Sequence, residues 1–563
     1  TIAGGCATCS SRTDLADVSK AKKRITLDAQ DSQKQPLEPE IPSPAESVKK
    51  AKKPGKNATR KQIRGSSLLM FGQFISVGLN FLSQVLIVRY LSQADYGAWT
   101  YALSVVAFFE GFSSLGLKRA VSRFVPIFHE NEEYNKLFGT IFISFVSVII
   151  TGAIFVGAVW VSPEVISELV KGEGQPVAIL LILIFMVPVD ALDLMLLSLF
   201  ASFASSKIIF TRKHLLGPGV KLLVVLLLIF FESDVFFLAY GYLTVNALMV
   251  VLYTAMLYFL LKSQNLMKHF RAAAMEYPVK TIFAFSIPLM TSDLVNVLMH
   301  ASDTMLLGYF HDTVAVANYK VILPAARFNK LVMTSFALLF TPLAARLFAQ
   351  NDFKGINELY WKTAVWLGVL SFPLFAITFA LADPLTVFLY GERYAESGLY
   401  LQLIAVAYYF NIALGFNGLT LKVLGRVRYV VIINVIAVVI NLILNLILIP
   451  AYGALGATAA TAFSMIVHNI LKQGGLKLAS GISVFDLRYL SFYGELIAGV
   501  MLLYLIQLFV THNLFVLLGL TAIVTIVILK LSQHQLQIEE NFPELLKIPG
   551  IKHILNWNPF NRK

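Results

Sequence analysis

The sequence predicts an all-α polytopic membrane protein: fourteen transmembrane helices, arranged as two parallel six-helix lobes in a pseudo-two-fold repeat plus two C-terminal helices. Of its 563 residues, 57% are hydrophobic and 14% are charged, and the mean hydropathy is +0.71. A soluble protein carries about 25% charged residues. Apolar segments long enough to cross a bilayer recur from residue 68 onward. This composition excludes a soluble globular protein.

The apolar segments give the order of the predicted elements. The fourteen spans are 68–88, 98–117, 138–162, 177–203, 215–231, 235–261, 282–309, 315–345, 363–382, 398–421, 429–449, 454–471, 489–510 and 513–530. We expect a disordered basic tail (1–65), an N-lobe (66–281), a C-lobe (282–475), spans 13 and 14 (476–531) and an interfacial tail (532–563).

The basic residues of the connections support this order. The even-numbered connections carry 20 Lys and Arg residues, whereas the odd-numbered ones carry 3. Connections on the cytoplasmic side of a membrane are enriched in these residues. We therefore expect a multi-pass protein of the inner, cytoplasmic membrane with both termini in the cytoplasm.

The N-terminal tail is expected to bind anionic lipid. Eight basic residues and no acid lie between Lys49 and Arg64, a pattern that favours contact with a negatively charged membrane surface. Nucleic acid is not expected, because no aromatic residue is interleaved to stack on bases. Cys6 and Cys9 have C-x-x-C spacing, but no second ligand pair accompanies them, and structural zinc takes four ligands.

A polar stripe in the first span recurs, changed, 220 residues later. Its members are spaced i, i+3, i+7 and i+10, which places four polar side chains on one face of an apolar helix. The two stripes are Gln73, Ser76, Asn80 and Ser83, and Asp293, Asn296, His300 and Asp303. Six spans per half give both halves the same orientation, so the repeat is parallel, as in many transporters.

Three segments resemble a known family: 91–97 (LSQADYG), 116–124 (GLKRAVSRF) and 441–461 (NLILNLILIPAYGALGATAAT). Over about residues 64–475 the chain resembles the multidrug/oligosaccharidyl-lipid/polysaccharide exporters, and is most similar to the O-antigen-type oligosaccharide flippases. The resemblance implies translocation of a polyprenyl-diphosphate-linked oligosaccharide by alternating access, with spans 13 and 14 cradling the lipid tail.

Other functions stay open at this point. The alternatives are a cation-coupled drug antiporter, an exporter of peptidoglycan or teichoic-acid precursors from the same superfamily, and a non-transporting scaffold for a glycan-polymerising complex. An acidic residue early in span 1, typical of the antiporters, is missing. We expect a monomer, with glycan polymerase or glycosyltransferases as candidate partners.

Intramembrane charges are the candidate functional residues, because buried charge in a bilayer is costly and marks function by default. Lys320, Arg327 and Lys330 in span 8 are candidates for a diphosphate, with Asn80 and Gln73 as further substrate contacts. In an antiparallel hairpin, Lys320 matches Asp303 and His300 in depth, and Arg327 matches Asp293. Internal salt bridges and a substrate-binding cavity are therefore both open.

Several acidic residues and one histidine are candidates for ion coupling. Asp190 and Asp193 lie one turn apart in span 4, and such carboxylates suit a proton or sodium site. Lys221 is expected to snorkel to the membrane surface. The full set of coupling candidates is Asp293, Asp303, His300, Glu110, Asp190 and Asp193.

No catalytic constellation accompanies these charges. The sequence contains no Walker A motif, and it contains no cluster of histidine, cysteine and carboxylate with metal-ligand spacing. We therefore expect a transporter and not an enzyme, with no cofactor and no metal.

Overall fold

The computed structural model describes residues 56–162, 164, 174–203, 206–482 and 489–536, without the side chains of 56–67, 70, 292, 296, 300 and 534. The predicted lipid-binding tail up to residue 55, most of the predicted interfacial tail and the side chain of His300 lie outside these residues. The chain divides into two compact units, Thr1–Arg64 and Gly65–Lys563. The packing that surrounds the candidate site is all within the second unit.

The described residues form α-helices joined by short connections, and they contain no strand. The helices are α1 Lys56–Tyr90, α2 Gln93–Ser113, α3 Leu117–Glu130, α4 Tyr134–Val161, α5 Gln175–Leu183, α6 Met186–Ser202, α7 Ser206–Ile209, α8 Gly217–Phe230, α9 Val235–Ser263, α10 Val279–Phe310, α11 Thr313–Arg327, α12 Lys330–Ala349, α13 Phe353–Phe379, α14 Ala382–Tyr390, α15 Ser397–Ala413, α16 Asn417–Val423, α17 Val427–Ser480, α18 Leu490–Phe509, α19 Leu514–Leu531 and α20 Gln533–Leu536. A π-helical turn, Phe210–Leu216, joins α7 to α8.

The helical content and the membrane character confirm the predicted fold class. Among the described residues, twelve helices are long and apolar enough to cross a membrane, and thirteen if the pair α2 and α3, bent by 42°, counts as one span. The count of fourteen stays a prediction. The two counts differ in part because α17, with 54 residues, is counted as one helix, whereas the sequence predicts two spans there. Its backbone is non-helical at Gly453, where φ is 54°.

The first helix begins earlier than predicted. Residues 56–64, expected to belong to a disordered tail, are the first residues of α1. The sequence offers a reason, because Pro54 and Gly55 interrupt a helix immediately before this point and no further breaker follows until Gly65. Lys and Arg are also good helix formers, so a run of basic residues is compatible with a helix.

The 220-residue repeat reappears in the helix boundaries. Helices α1 and α10 end 220 residues apart, and α2 and α11 begin 220 residues apart. Each second helix has a side-chain cap at the same position: Ser92 accepts a hydrogen bond from the Asp95 amide at 3.1 Å, and Asp312 accepts one from the Ala315 amide at 2.8 Å. Such caps satisfy amide groups that begin a helix, so both copies start a helix in the same way.

The two halves meet along α2, which packs against α10 and α11. Gly97 allows the closest approach, because a Cβ atom built there would lie 1.7 Å from the carbonyl oxygen of Thr313. Gly308 accommodates the ring of Tyr101 in the same way, at 2.4 Å. Small residues at helix crossings are typical of membrane proteins, in which packing and not water exclusion drives helix association.

Helices α18 and α19 pack on α13 in the second half. Phe372 of α13 lies in one core cluster with Phe492 of α18 and Leu517 of α19, and all three side chains are fully buried. These contacts place α18 and α19 against the second half and away from the crossing of α2 with α11.

The glycine at this crossing generates a first prediction. We expect Gly97→Ala to lower the stability of the protein by about 1–3 kcal/mol, the usual cost of overpacking. Gly78→Ala is the matched control, because a Cβ atom there meets nothing within 4 Å and alanine is the better helix former. Thermal unfolding in detergent measures both variants. A Gly97→Ala protein as stable as the control would contradict the close crossing.

Candidate functional site

A cavity of about 590 Å³ lies between the two halves. Its lining includes three cations, Lys221 from α8 and Lys320 and Arg327 from α11, together with Asn80 from α1. No acidic residue lines this cavity in the described part of the chain, and none of the three cations has a carboxylate within 4 Å there. The cavity therefore presents positive charge to whatever occupies it.

The local structure of α11 brings two of these cations to the cavity. Lys320 and Arg327 are seven residues apart, which places them on one helix face. The predicted eighth span is broken here: α11 ends at Arg327 and α12 begins at Lys330. Asn329, in the break, donates to the Ala326 carbonyl oxygen at 3.0 Å and to Thr378 Oγ1 at 2.9 Å. The break leaves Arg327 at a helix C-terminus, where a positive charge is favourable.

Lys330 and Gln73 line a smaller cavity of about 130 Å³ that also includes Arg327. The Lys330 ammonium lies over the ring of Tyr408, 4.3 Å from its centroid. The five residues predicted to bind substrate thus surround two cavities that share Arg327. This arrangement makes a substrate role geometrically feasible for all five.

Ion pairs between the seventh and eighth spans, one of the two alternatives that the sequence left open, are absent among the described residues. Asp293 pairs instead with α3, where Arg119 Nη2 lies 2.6 Å from Oδ1 and Lys118 Nζ lies 3.4 Å from Oδ2. Asp293 and Arg327 match in depth but do not form an ion pair. The polar face of α10 at this level is turned toward the first half. This ion pair joins the two halves.

Asp303 is fully buried and is held by neutral donors. Its carboxylate accepts hydrogen bonds from Tyr319 Oη at 2.7 Å, Thr461 Oγ1 at 2.7 Å and Asn445 Nδ2 at 2.5 Å. Asn445 also donates to Asn441 Oδ1 at 3.2 Å. Asn445 thus contacts the acidic stripe of α10, and no cation lies within 4 Å of Asp303 in the described structure.

A second cavity, of about 350 Å³, lies within the first half and contains Asp190 and Asp193. The two carboxylates have different partners. Asp190 Oδ1 accepts from Asn246 Nδ2 at 3.0 Å, whereas Asp193 forms a short ion pair with Arg212. Arg212 therefore neutralises one of the two carboxylates that the sequence paired as a coupling site.

Glu110 and Lys221 also belong to the membrane region of the first half. Glu110 lies on α2 within electrostatic range of Asp190 and Lys118. Lys221 was expected to snorkel outward, but it lines both cavities, with its ammonium 5.4 Å from the ring centroid of Tyr242. The predicted span began at residue 215, whereas the helical run begins at Ser206, so Lys221 lies deeper in its helix than expected.

Sequence reasoning missed three functional candidates: Arg119, Arg212 and Lys221. The first two were counted as loop residues that set the orientation of the protein. The structure places Arg212 in the π-helical turn, 2% exposed, and Arg119 in α3. A signal existed for Lys221, which lies inside an apolar segment, but no pattern along the chain indicated the partner of Arg119.

The halves contact each other on both sides of the central cavity. Near the odd-numbered connections, Arg89 Nε donates to the Leu389 carbonyl oxygen at 2.9 Å and Gln93 Nε2 donates to the Arg393 carbonyl oxygen at 2.7 Å. At the far end of α2, the ion pair of Arg119 with Asp293 joins them again. The cavity is thus bracketed by two polar contact zones.

A membrane-spanning helical fold with a cationic cavity between two halves is the architecture of a membrane flippase or exporter, a class of transporters and not of enzymes. Residues 86–398, more than half of the chain, match the family model described as "Polysaccharide biosynthesis protein". The chain therefore belongs to this family.

Relatives and solved structures agree with this assignment. The chain is 23% identical over 452 residues to the lipid II flippase MurJ of Bacillus subtilis, covering 72% of this chain and 80% of MurJ. It is 23% identical over 192 residues to the probable low-salt glycan biosynthesis flippase Agl15 of Haloferax volcanii, covering 34% and 41%. A solved lipid II flippase MurJ, in an inward closed conformation, has the same fold, with a TM-score of 0.65 at 16% identity over 83% of this chain and 99% of that one.

The ion pair between the halves generates a second prediction. We expect Asp293→Asn to lower the free energy of unfolding by about 2 kcal/mol, because a charged hydrogen bond is lost and two cations lose their counter-charge. The matched control is Glu133→Gln, which removes the more exposed pair with Lys136 and should cost less than about 1 kcal/mol. Chemical unfolding in detergent compares the two. Equal losses would mean that the pair contributes no more than an ordinary surface contact.

Proposed function

We propose that this protein translocates a polyprenyl-diphosphate-linked oligosaccharide across the cytoplasmic membrane by alternating access of the cavity between its halves. The single observation that carries the proposal is the cavity with three cations and no lining acid in the described chain. Cations at membrane depth are costly without a counter-charge. A diphosphate would supply that charge each time substrate is bound.

The chemistry of the three cations suits a diphosphate. The Arg327 guanidinium can form two parallel hydrogen bonds to phosphate oxygens. Lys320 and Lys221 would act as compact charges on the remaining oxygens, approaching from the second and the first half respectively. A substrate held in this way contacts both halves at once, as a substrate must if its binding is to influence their relative movement.

The proposed substrate class also rests on the comparisons. The family is described as polysaccharide biosynthesis proteins, and one relative is named as a glycan biosynthesis flippase. These names support a lipid-linked glycan as the substrate class, and the relative named as a lipid II flippase keeps a peptidoglycan precursor as the alternative. An antiporter for cationic drugs is disfavoured, because three like charges in the cavity would repel such a substrate.

We propose Asp303 as the residue that couples transport to a cation gradient. Its carboxylate is fully buried among neutral oxygen and amide groups with no cation within 4 Å in the described structure, and burial of a carboxylate favours uptake of a proton or a metal cation. Glu110 and Asp190 are the alternatives, since each, like Asp303, has a lysine within electrostatic range but no ion pair in the described structure. Asp293 is less suited, because it is ion-paired with Arg119 and Lys118. Asp193 is already neutralised by Arg212.

The orientation and the partners complete the proposal. With basic residues concentrated in the even-numbered connections, both termini would lie in the cytoplasm. The basic segment 49–64 would contact anionic lipid, and spans 13 and 14 would hold the lipid tail. Glycosyltransferases or a glycan polymerase would act on the substrate before and after translocation.

The diphosphate site generates a third prediction. We expect Arg327→Ala together with Lys320→Ala to abolish export, since each lost charged hydrogen bond weakens substrate binding by about 1.5–3 kcal/mol. Lys354→Ala is the matched control, because Lys354 is exposed and lies outside the cavities described above. Glycan export is measured in a host that lacks its own flippase, with protein levels matched. Normal export by the double variant would refute the substrate role of these cations.

The coupling residue generates a fourth prediction. We expect Asp303→Asn to remove the dependence of transport on an imposed proton or sodium gradient, because the variant amide cannot take up a cation. Substrate binding should be retained, since Asp303 does not line the central cavity. Glu358→Gln, at an exposed carboxylate outside the cavities described above, serves as the comparison in the same proteoliposome assay. An Asp303→Asn protein that still responds to the gradient would exclude this residue as the coupling site.

A further inference from the structure

The cavity of about 350 Å³ within the first half adjoins the central cavity. Asn80 and Lys221 line both cavities, so the two spaces meet at these side chains. Asn80 donates its amide hydrogens back to Ser76, to the carbonyl oxygen at 2.7 Å and to Oγ at 3.2 Å. This arrangement leaves the Asn80 Oδ1 oxygen available as an acceptor at the junction of the two cavities.

The side cavity differs from the central one in its chemistry. It combines the carboxylates of Asp190 and Asp193 and the amide of Asn246 with the ammonium groups of Lys213 and Lys221. A phosphate offers only acceptors and would be repelled by the carboxylates. Sugar hydroxyls both donate and accept, so they can bond to carboxylate, amide and ammonium groups together. The lining therefore suits a sugar better than a phosphate.

Arg212 gives this cavity a fixed wall. Its side chain is 2% exposed, forms an ion pair with Asp193 and stacks over the ring of Tyr253, 4.3 Å from the centroid. The Nε and Nη1 groups are buried and have no hydrogen-bond partner within the described structure. A buried donor without a partner is costly, and π-helical turns such as the one that carries Arg212 are frequent at functional sites.

We infer that the side cavity is the subsite for the sugar units next to the diphosphate. The inference rests on the proposed function and deepens it: Lys320 and Arg327 hold the diphosphate, Lys221 and Asn80 stand at the junction, and Asp190 and Asn246 bond to sugar hydroxyls. The volume of about 350 Å³ is at the small end of the range for small-molecule sites. The side cavity would hold the first sugar units of the glycan, and the remaining units would lie in the central cavity.

The test compares two kinds of probe on the full-length protein in lipid nanodiscs. One probe is bare undecaprenyl diphosphate. The others carry a single sugar, either a hexose, an N-acetylhexosamine or a uronic acid. We expect the wild type to bind at least one glycosylated probe more tightly than the bare one. Asp190→Asn and Asn246→Ala should each weaken that probe about 3- to 30-fold, the loss of one or two hydrogen bonds, and should change the affinity for the bare probe less than twofold.

Two further variants make the outcome decisive. Arg327→Ala should weaken both kinds of probe equally, whereas Thr254→Ala, on the exposed side of α9, should weaken neither. The subsite is overturned if the wild type binds no glycosylated probe more tightly than the bare one, or if Asp190→Asn and Asn246→Ala change both kinds of probe alike. Failure of the proposed function looks different: neither kind of probe binds, or Arg327→Ala has no effect on either.

Discussion

Three cations at membrane depth line a central cavity that has no carboxylate in its described lining, and this is the constraint on which the rest of the described site depends. A basic residue at the centre of a membrane helix costs about 2.5–3.5 kcal/mol on insertion scales. Lys221, Lys320 and Arg327 meet this cost by facing a cavity and not lipid. Arg327, at the break after α11, and polar side chains of α1 line that cavity.

The two copies of the duplicated fold carry different charges at corresponding positions. Ser83 and Asp303 occupy the same position in the two copies, yet only the second copy buries a carboxylate, among Tyr319, Asn445 and Thr461. The first copy instead has its acids around a side cavity with basic neighbours. A parallel repeat keeps the helix positions while each half acquires its own charges. In the second half, Asp303 lies within electrostatic range of Lys320 but makes its hydrogen bonds to neutral groups.

The sequence predicted properties that depend on one helix at a time. Helix periodicity placed Lys320 and Arg327 on one face, and the 220-residue offset aligned the capped starts of α2 and α11. Prediction from the sequence failed where a property depends on the rotation of one helix relative to another. Asp293 matched Arg327 in depth, but the rotation of α10 turned it toward Arg119. Arg212 was hidden because a π-helical turn extends the helix into a predicted loop.

The cavity also explains how binding could drive movement of the halves. Lys221 belongs to the first half, whereas Lys320 and Arg327 belong to the second, so closure without a ligand brings like charges together. The contacts that oppose this repulsion are the apolar packing of α2 on α10 and α11 and polar contacts such as the bonds of Arg89 and the pair of Arg119 with Asp293. An anionic diphosphate would convert this repulsion into attraction. The attraction would be greatest when the diphosphate contacts cations of both halves. A ligand shifts a conformational equilibrium only if it interacts differently with the two conformations. The charge of the substrate would therefore favour the occluded arrangement. Release of the substrate would restore the repulsion between the cations, which opens one side of the cavity.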